Sequence, residues 1–323
     1  MKNIVTSMVG WGLLLGLVGL TAAGAAAWAV KNHIDQQRPW MPEDYYTTVQ
    51  AGAPLEQKYS GRGNYEVSSL VVSMPGTAMQ NLRLWYPAQL EQSKESWPLI
   101  VVVNASNTAA LNYEAWFERL ASWGFIVAGN DDRQAGTGQS AADTLDAVLA
   151  MDQDPASVLC GKIDREAIGA VGYSQGGAGA INAVTAFPNS RLYRALFTGS
   201  AAYPLLARNM GWGYDVSGMT AAWFQTAGTG ASDDSGLDPN TAFGGVAPLS
   251  SLQENDDAAP DEIQKALARL TGAEHQDMMR TDGYMTAWML YQLCGDEEAA
   301  SAFVGEGAEL LHNPNWQDVE KNM

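Results

Sequence analysis

Apolar and polar residues alternate from Tyr65 to Ser73, in a stretch rich in Val, and this period of two predicts a half-buried strand. Leu82-Arg83-Leu84-Trp85-Tyr86-Pro87 repeats the pattern and stops at Pro. The Pro-Gly turn between Met74 and Met79 predicts that the two strands form an antiparallel hairpin. The pattern then changes. Leu99–Val103 is a continuous apolar run, as expected of a parallel strand covered on both faces. Tyr113 to Trp123 has helical spacing through Trp116, Phe117 and Leu120, and Gly124 ends it. Phe125–Ala128 reads as the next buried strand, and Ser140 as the N-cap of a helix reaching about Met151. Ala167–Val171 is a strand and Gly177–Ala186 a helix of small residues. Ala195–Thr198 and Ala221–Gln225 are further strands, Ala266–Leu270 is the last, and a final helix covers about Tyr284 to Leu293. A hairpin followed by β-α alternation predicts a mostly parallel sheet with helices on both faces.

One junction carries chemistry. Between the strand ending at Val171 and the helix from Gly177 stands Gly172-Tyr173-Ser174-Gln175-Gly176. A Ser on a tight strand-to-helix turn projects its Oγ above the sheet. The flanking glycines leave room where turn, helix and next strand crowd together. The helix start turns backbone N–H groups and its positive dipole end toward the same place.

Composition narrows the picture. With 323 residues and 46 % hydrophobic content, the chain is long enough for one large α/β domain. A net charge of −18 speaks against a nucleic-acid partner and describes a solvated acidic surface. Ile4 to Val30 lacks charged side chains, is flanked by Lys2 and Lys31, and has Trp11 and Trp28 near its ends. It reads as a transmembrane anchor or a signal peptide cleaved near Ala25-Ala26-Ala27, and either would export the catalytic part of the chain. Lys31 to about residue 54 is polar and Pro-containing, a linker or an arm lying on a catalytic domain of residues 55–323. No cofactor is indicated, and the chain is expected to act as a monomer.

Leu84-Trp85-Tyr86-Pro87, Val101-Val102-Val103-Asn104, Trp123-Gly124-Phe125-Ile126-Val127, Gly172-Tyr173-Ser174-Gln175-Gly176-Gly177 and Gly272-Ala273-Glu274-His275 occur in that order. With them the chain resembles an α/β-hydrolase, within the lidless group of cutinase-like polyester hydrolases, chlorophyllases and dienelactone-hydrolase relatives. The resemblance implies a serine esterase cleaving short-chain acyl or polyester substrates, with a triad in the order Ser, acid, His. Of the three histidines, His33 adjoins the uncharged segment and His312 lies beyond the last helix. His275 follows the last predicted strand, where the resemblance puts the general base. The acid is then Asp233 or its neighbour Asp234, with Asp233 in the position that relatives use. Asp131-Asp132 and Asp256-Asp257 are given no catalytic part. The oxyanion donors implied are the Gln175 N–H and, from the loop after Val103, Ser106, with Asn107 second. Relatives often carry Gly and an aromatic at this place, whereas this chain has Ala105-Ser106. The fold also lets the loop before the Ser174 strand and the tail of the closing helix share one face, which allows a Cys160–Cys294 disulfide.

Other classes have smaller footholds. Gly136-x-Gly138-x-x-Ala141, with Asp154 downstream, imitates a dinucleotide turn, but six residues separate it from the preceding strand. No His-x-x-His pair or Cys cluster suggests a metal hydrolase. A peptidase of the same fold and a non-catalytic binding protein on the hydrolase scaffold remain as alternatives. The interval between Ser174 and Asp233 leaves little for a lid, although Tyr203 to Met219 could form a small wall with Trp212 and Tyr214.

Overall fold

Side chains of the apolar strand Trp97–Val103 (β3) point alternately to two cores, as a period of two requires. Ile100 and Val102 enter one core, and Leu99, Val101 and Val103 enter the other. The computed structural model describes residues 41–235 and 245–323, and in it β3 lies near the middle of a nine-stranded sheet. The strands are β1 (Val67–Met74), β2 (Gln80–Pro87), β3, β4 (Ile126–Asn130), β5 (Ile163–Tyr173), β6 (Tyr193–Gly199), β7 (Ala222–Gly228), β8 (Lys265–Leu270) and β9 (Trp316–Lys321). Their spatial order is β1-β2-β4-β3-β5-β6-β7-β8-β9. From β4 to β8 every neighbour is parallel, whereas β1, β2 and β9 pair antiparallel at the ends. The mostly parallel sheet and its initial hairpin are those that the residue pattern predicts.

Helices Glu114–Ala121 and Asp282–Cys294 supply Trp116, Phe117 and Trp288 to one face. Helices Gln139–Gln153 and Gln175–Thr185 cover the other with Leu145, Val148 and Ile181. On the first face aromatic rings follow one another across the sheet, from Trp85 through Phe117, Trp116, Tyr173, Phe197 and Phe224 to Trp288, each within 6 Å of the next. Most of these contacts are edge-to-face, the arrangement that ring quadrupoles favour.

Three expectations are corrected. The helix expected to be capped by Ser140 starts at Gln139, and its cap position is Gly138 at φ 78°. The chain enters there through a left-handed turn pressed against helix Gln175–Thr185, where a Cβ would lie 2.7 Å from the Gly179 carbonyl oxygen. β8 is not the last strand, since β9 pairs with its outer edge. Cys160 and Cys294 are both free. Leu159 is buried on one face of the sheet, whereas Leu290 and Leu293 pack on the other, so the neighbours of the two cysteines belong to opposite faces.

Residues 41–54 are not a detached linker. Tyr45, in the 3-10 turn Tyr45–Thr48, is buried, and its hydroxyl donates to Asp282 Oδ2 at 2.5 Å. Arg119 Nε donates to the same hydroxyl at 2.8 Å, and Trp116 Nε1 donates to Asp282 Oδ1 at 3.0 Å. Arg119 and Asp282 are wholly enclosed. Among the described residues no helix is long and apolar enough to cross a membrane, and the segment read as anchor or signal peptide lies outside them.

Burial pushes the Asp282 carboxyl up to about 6, although Arg119, the Tyr45 hydroxyl and the Trp116 indole draw it down. The folded chain therefore holds this proton at pH values where the unfolded chain has released it. The stability Asp282 contributes is full below about pH 4 and is lost as pH rises through about 6. Melts of the parent and of Asp282→Asn at pH 4, 5, 6 and 7 should show the parent's relative stability falling over this window. A difference independent of pH would contradict this.

Candidate active site

The turn between β5 and helix Gln175–Thr185 holds Ser174 at φ 56° and ψ −122°, a conformation costing about 1–3 kcal/mol for a residue with a Cβ. Neighbouring backbone fixes it. Ser174 N–H donates to the Gly199 carbonyl at 3.0 Å, and the Ser174 carbonyl accepts from Gly177 N–H at 3.0 Å. A Cβ on Gly172 would run into the Gly176 carbonyl, and one on Gly176 into the Val103 carbonyl. The glycine spacing is thus a packing requirement of the turn.

Across the cleft, His275 Nε2 lies 3.0 Å from Ser174 Oγ, and His275 Nδ1 lies 2.7 Å from Asp233 Oδ1. The carboxylate can only accept, so Nδ1 carries the proton and Nε2 is free to accept from the Ser174 hydroxyl. Asp233 is fully buried, and its Oδ2 accepts from Gly228 N–H at 2.8 Å and from the Ser200 hydroxyl at 2.5 Å. Asp234 points elsewhere and pairs with Arg269 Nη1 at 2.7 Å. The loops carrying Asp233 and His275 are joined to each other. Gly230 N–H donates to the Ala273 carbonyl at 2.8 Å, and His275 N–H to Ser232 Oγ at 2.7 Å. Ser232 donates through both its N–H and its hydroxyl to Glu274, and these bonds hold the Glu274 carboxyl below its ordinary range.

Ser106 lines the cleft beside Ala105. The Asn107 N–H donates to the Arg133 carbonyl at 3.1 Å, so it is committed away from Ser174. Gln175 opens its helix, and its N–H belongs to the first turn, which has no partner four residues back. Tyr203 to Met219 does not wall the cleft. Trp212 packs against Gly136, and the Tyr214 hydroxyl donates to the Ala202 carbonyl at 3.0 Å. The same contact explains the dinucleotide-like glycines, which serve packing against Trp212 and helix Gln175–Thr185. Asp131 and Asp256 engage Arg83 and Lys265, away from Ser174.

The cleft itself has a volume of about 850 Å³. Tyr173, Ser174 and Ser200 line it, as does a wall segment of Met41, Pro42, Tyr45, Thr48 and Val49. Sequence reasoning missed both Ser200 and this wall. Ser200 had a signal, for it follows the carboxyl end of a parallel strand, where α/β sheets place their ligand contacts.

A family model described as PET hydrolase-like matches residues 47–197. Sheet order, turn and family match agree. The chain has the α/β-hydrolase fold. The matched family consists of carboxylic ester hydrolases, and the match points to ester hydrolysis. The matched stretch includes Ser174 and stops before Asp233 and His275, so those two rest on the geometry above. No curated protein matches the chain.

Proposed function

We propose that this hydrolase cleaves carboxylic esters of short acyl chains, or the exposed chain of a polyester, through an ester formed on Ser174. The observation that carries the reading is the continuous line of hydrogen bonds from Ser174 Oγ through His275 to buried Asp233. His275 Nε2 takes the hydroxyl proton as Oγ bonds to the ester carbonyl carbon. The carbonyl oxygen gains negative charge, and the N–H groups of Gln175 and Ser106 are the donors we assign to it. When the C–O bond to the alcohol breaks, His275 returns the proton to the leaving alkoxide. Water then repeats the sequence, with His275 as base, and releases the acid and free Ser174. Asp233 holds the ring in the required tautomer and balances the imidazolium charge.

The cleft is open, no segment between Ser174 and Asp233 closes over it, and it therefore does not enclose a long acyl chain, so the binding energy gained from such a chain is modest. We also propose that residues 4–30 direct the chain out of the cytoplasm. A fluorophosphonate probe should label the parent at Ser174. p-Nitrophenyl esters of increasing chain length should give the highest kcat/KM between C2 and C6, with no jump above the solubility limit. A maximum at C12 with interfacial activation would overturn the substrate assignment, and absence of labelling would overturn the mechanism.

A further inference from the structure

Residues of the strap 41–49 line the same cleft as Ser174. Ser106, His275, Gln276 and Arg280 give that cleft polar lining. The strap contributes Met41, Pro42 and Val49, and Tyr113 lines the cleft as well. Met41 and Val49 are half-buried, and Pro42 and Thr48 are exposed, so the strap is a lining with open volume before it. An unbranched Met beside small apolar groups makes an adaptable apolar surface.

The strap is held at one strong point. The Tyr45 hydroxyl sits between Asp282 and Arg119, at 2.5 Å and 2.8 Å, inside the core. Asp282 begins the helix that follows the His275 loop and the 3-10 turn Met278–Thr281. Wall and general base therefore share an anchor. A second tie lies beyond the strap, where Asn315 Nδ2 donates to the Gln50 carbonyl at 3.0 Å.

We propose that residues 41–49 form the subsite that sets acyl or alcohol size in this hydrolase. Met41, Pro42 and Val49 contact the substrate, and Tyr45 is the positioning residue that fastens them. The proposal rests on the ester-hydrolase reading above. It assigns specificity to a segment that precedes the sheet in the chain and supplies five of the fifteen residues lining the cleft.

The test compares kcat/KM on C2 and C6 p-nitrophenyl esters for the parent, Met41→Ala/Val49→Ala, Thr48→Trp and Tyr45→Phe, with thermal melts recorded for each. Thr48→Trp fills the space before the wall and should lower the C6-to-C2 ratio about tenfold, the scale on which an apolar pocket distinguishes chain lengths. Met41→Ala/Val49→Ala removes the apolar contact and should lower the ratio in the same direction, by about fivefold. Tyr45→Phe should raise KM severalfold while kcat falls much less, a split that lost stability alone would not give. Folded variants that keep the parent's ratio and KM would overturn the proposal while leaving the hydrolase reading intact. If Thr48→Trp fails to fold, the alanine pair decides. A parent inactive on every ester would overturn both.

Discussion

Ser174→Ala should lower esterase kcat by roughly 10⁶-fold and leave the melting curve of the protein close to that of the parent. The expected size follows from the role proposed for Oγ, to accept the acyl group, for which no neighbouring atom can substitute. Ala retains the Cβ, so the positive-φ turn and its bonds to Gly199 and Gly177 persist. What remains is catalysis by the oxyanion donors and by binding alone, typically 10³–10⁴-fold over water. Steady-state kinetics on p-nitrophenyl butyrate measures the loss, and loss of fluorophosphonate labelling accompanies it. A variant turning over like the parent would remove Ser174 from the mechanism.

Asp233→Asn should cost about 10⁴-fold in kcat, and Asp234→Asn less than about threefold. The contrast between adjacent carboxylates comes from their partners. Asn at 233 can present an amide nitrogen to His275 and stabilise the tautomer that leaves Nε2 protonated, which cannot accept from Ser174. Asp234 is partly exposed, and its loss leaves Arg269 paired to Asp318 at 2.7 Å. Parallel kinetics on the two variants read the difference directly. A larger loss in Asp234→Asn would exchange the assignments.

Legibility in the sequence tracked the range of the interactions. β3 was readable because Leu99–Val103 faces two cores, which forces an unbroken apolar run. The Ser174 turn was readable because glycines at 172 and 176 answer backbone contacts within the motif and with the strand end. β9 was not read, for Asp318 sits at φ 52° and interrupts the alternation of Trp316, Val319 and their neighbours. Separating Asp233 from Asp234 needed Arg269 on β8, which no local pattern relates to either. The wall at 41–49 was least legible. Its anchor joins Tyr45 to Asp282 across 237 positions, and nothing near Met41 or Val49 distinguishes a substrate wall from a polar linker. Asn107, the second choice as oxyanion donor, was excluded by a bond to Arg133 that only the folded loop reveals.

The bonds between the acid loop and the base loop have a mechanical meaning. Gly230 to Ala273, Ser232 to Glu274 and His275 to Ser232 tie the loops of Asp233 and His275 to each other, and Ser200, which donates to Asp233, adjoins Gly199, whose carbonyl holds the Ser174 N–H. The three loops are therefore braced by one connected set of bonds, and loosening any one of them bears on the 3.0 Å separation of Nε2 from Oγ.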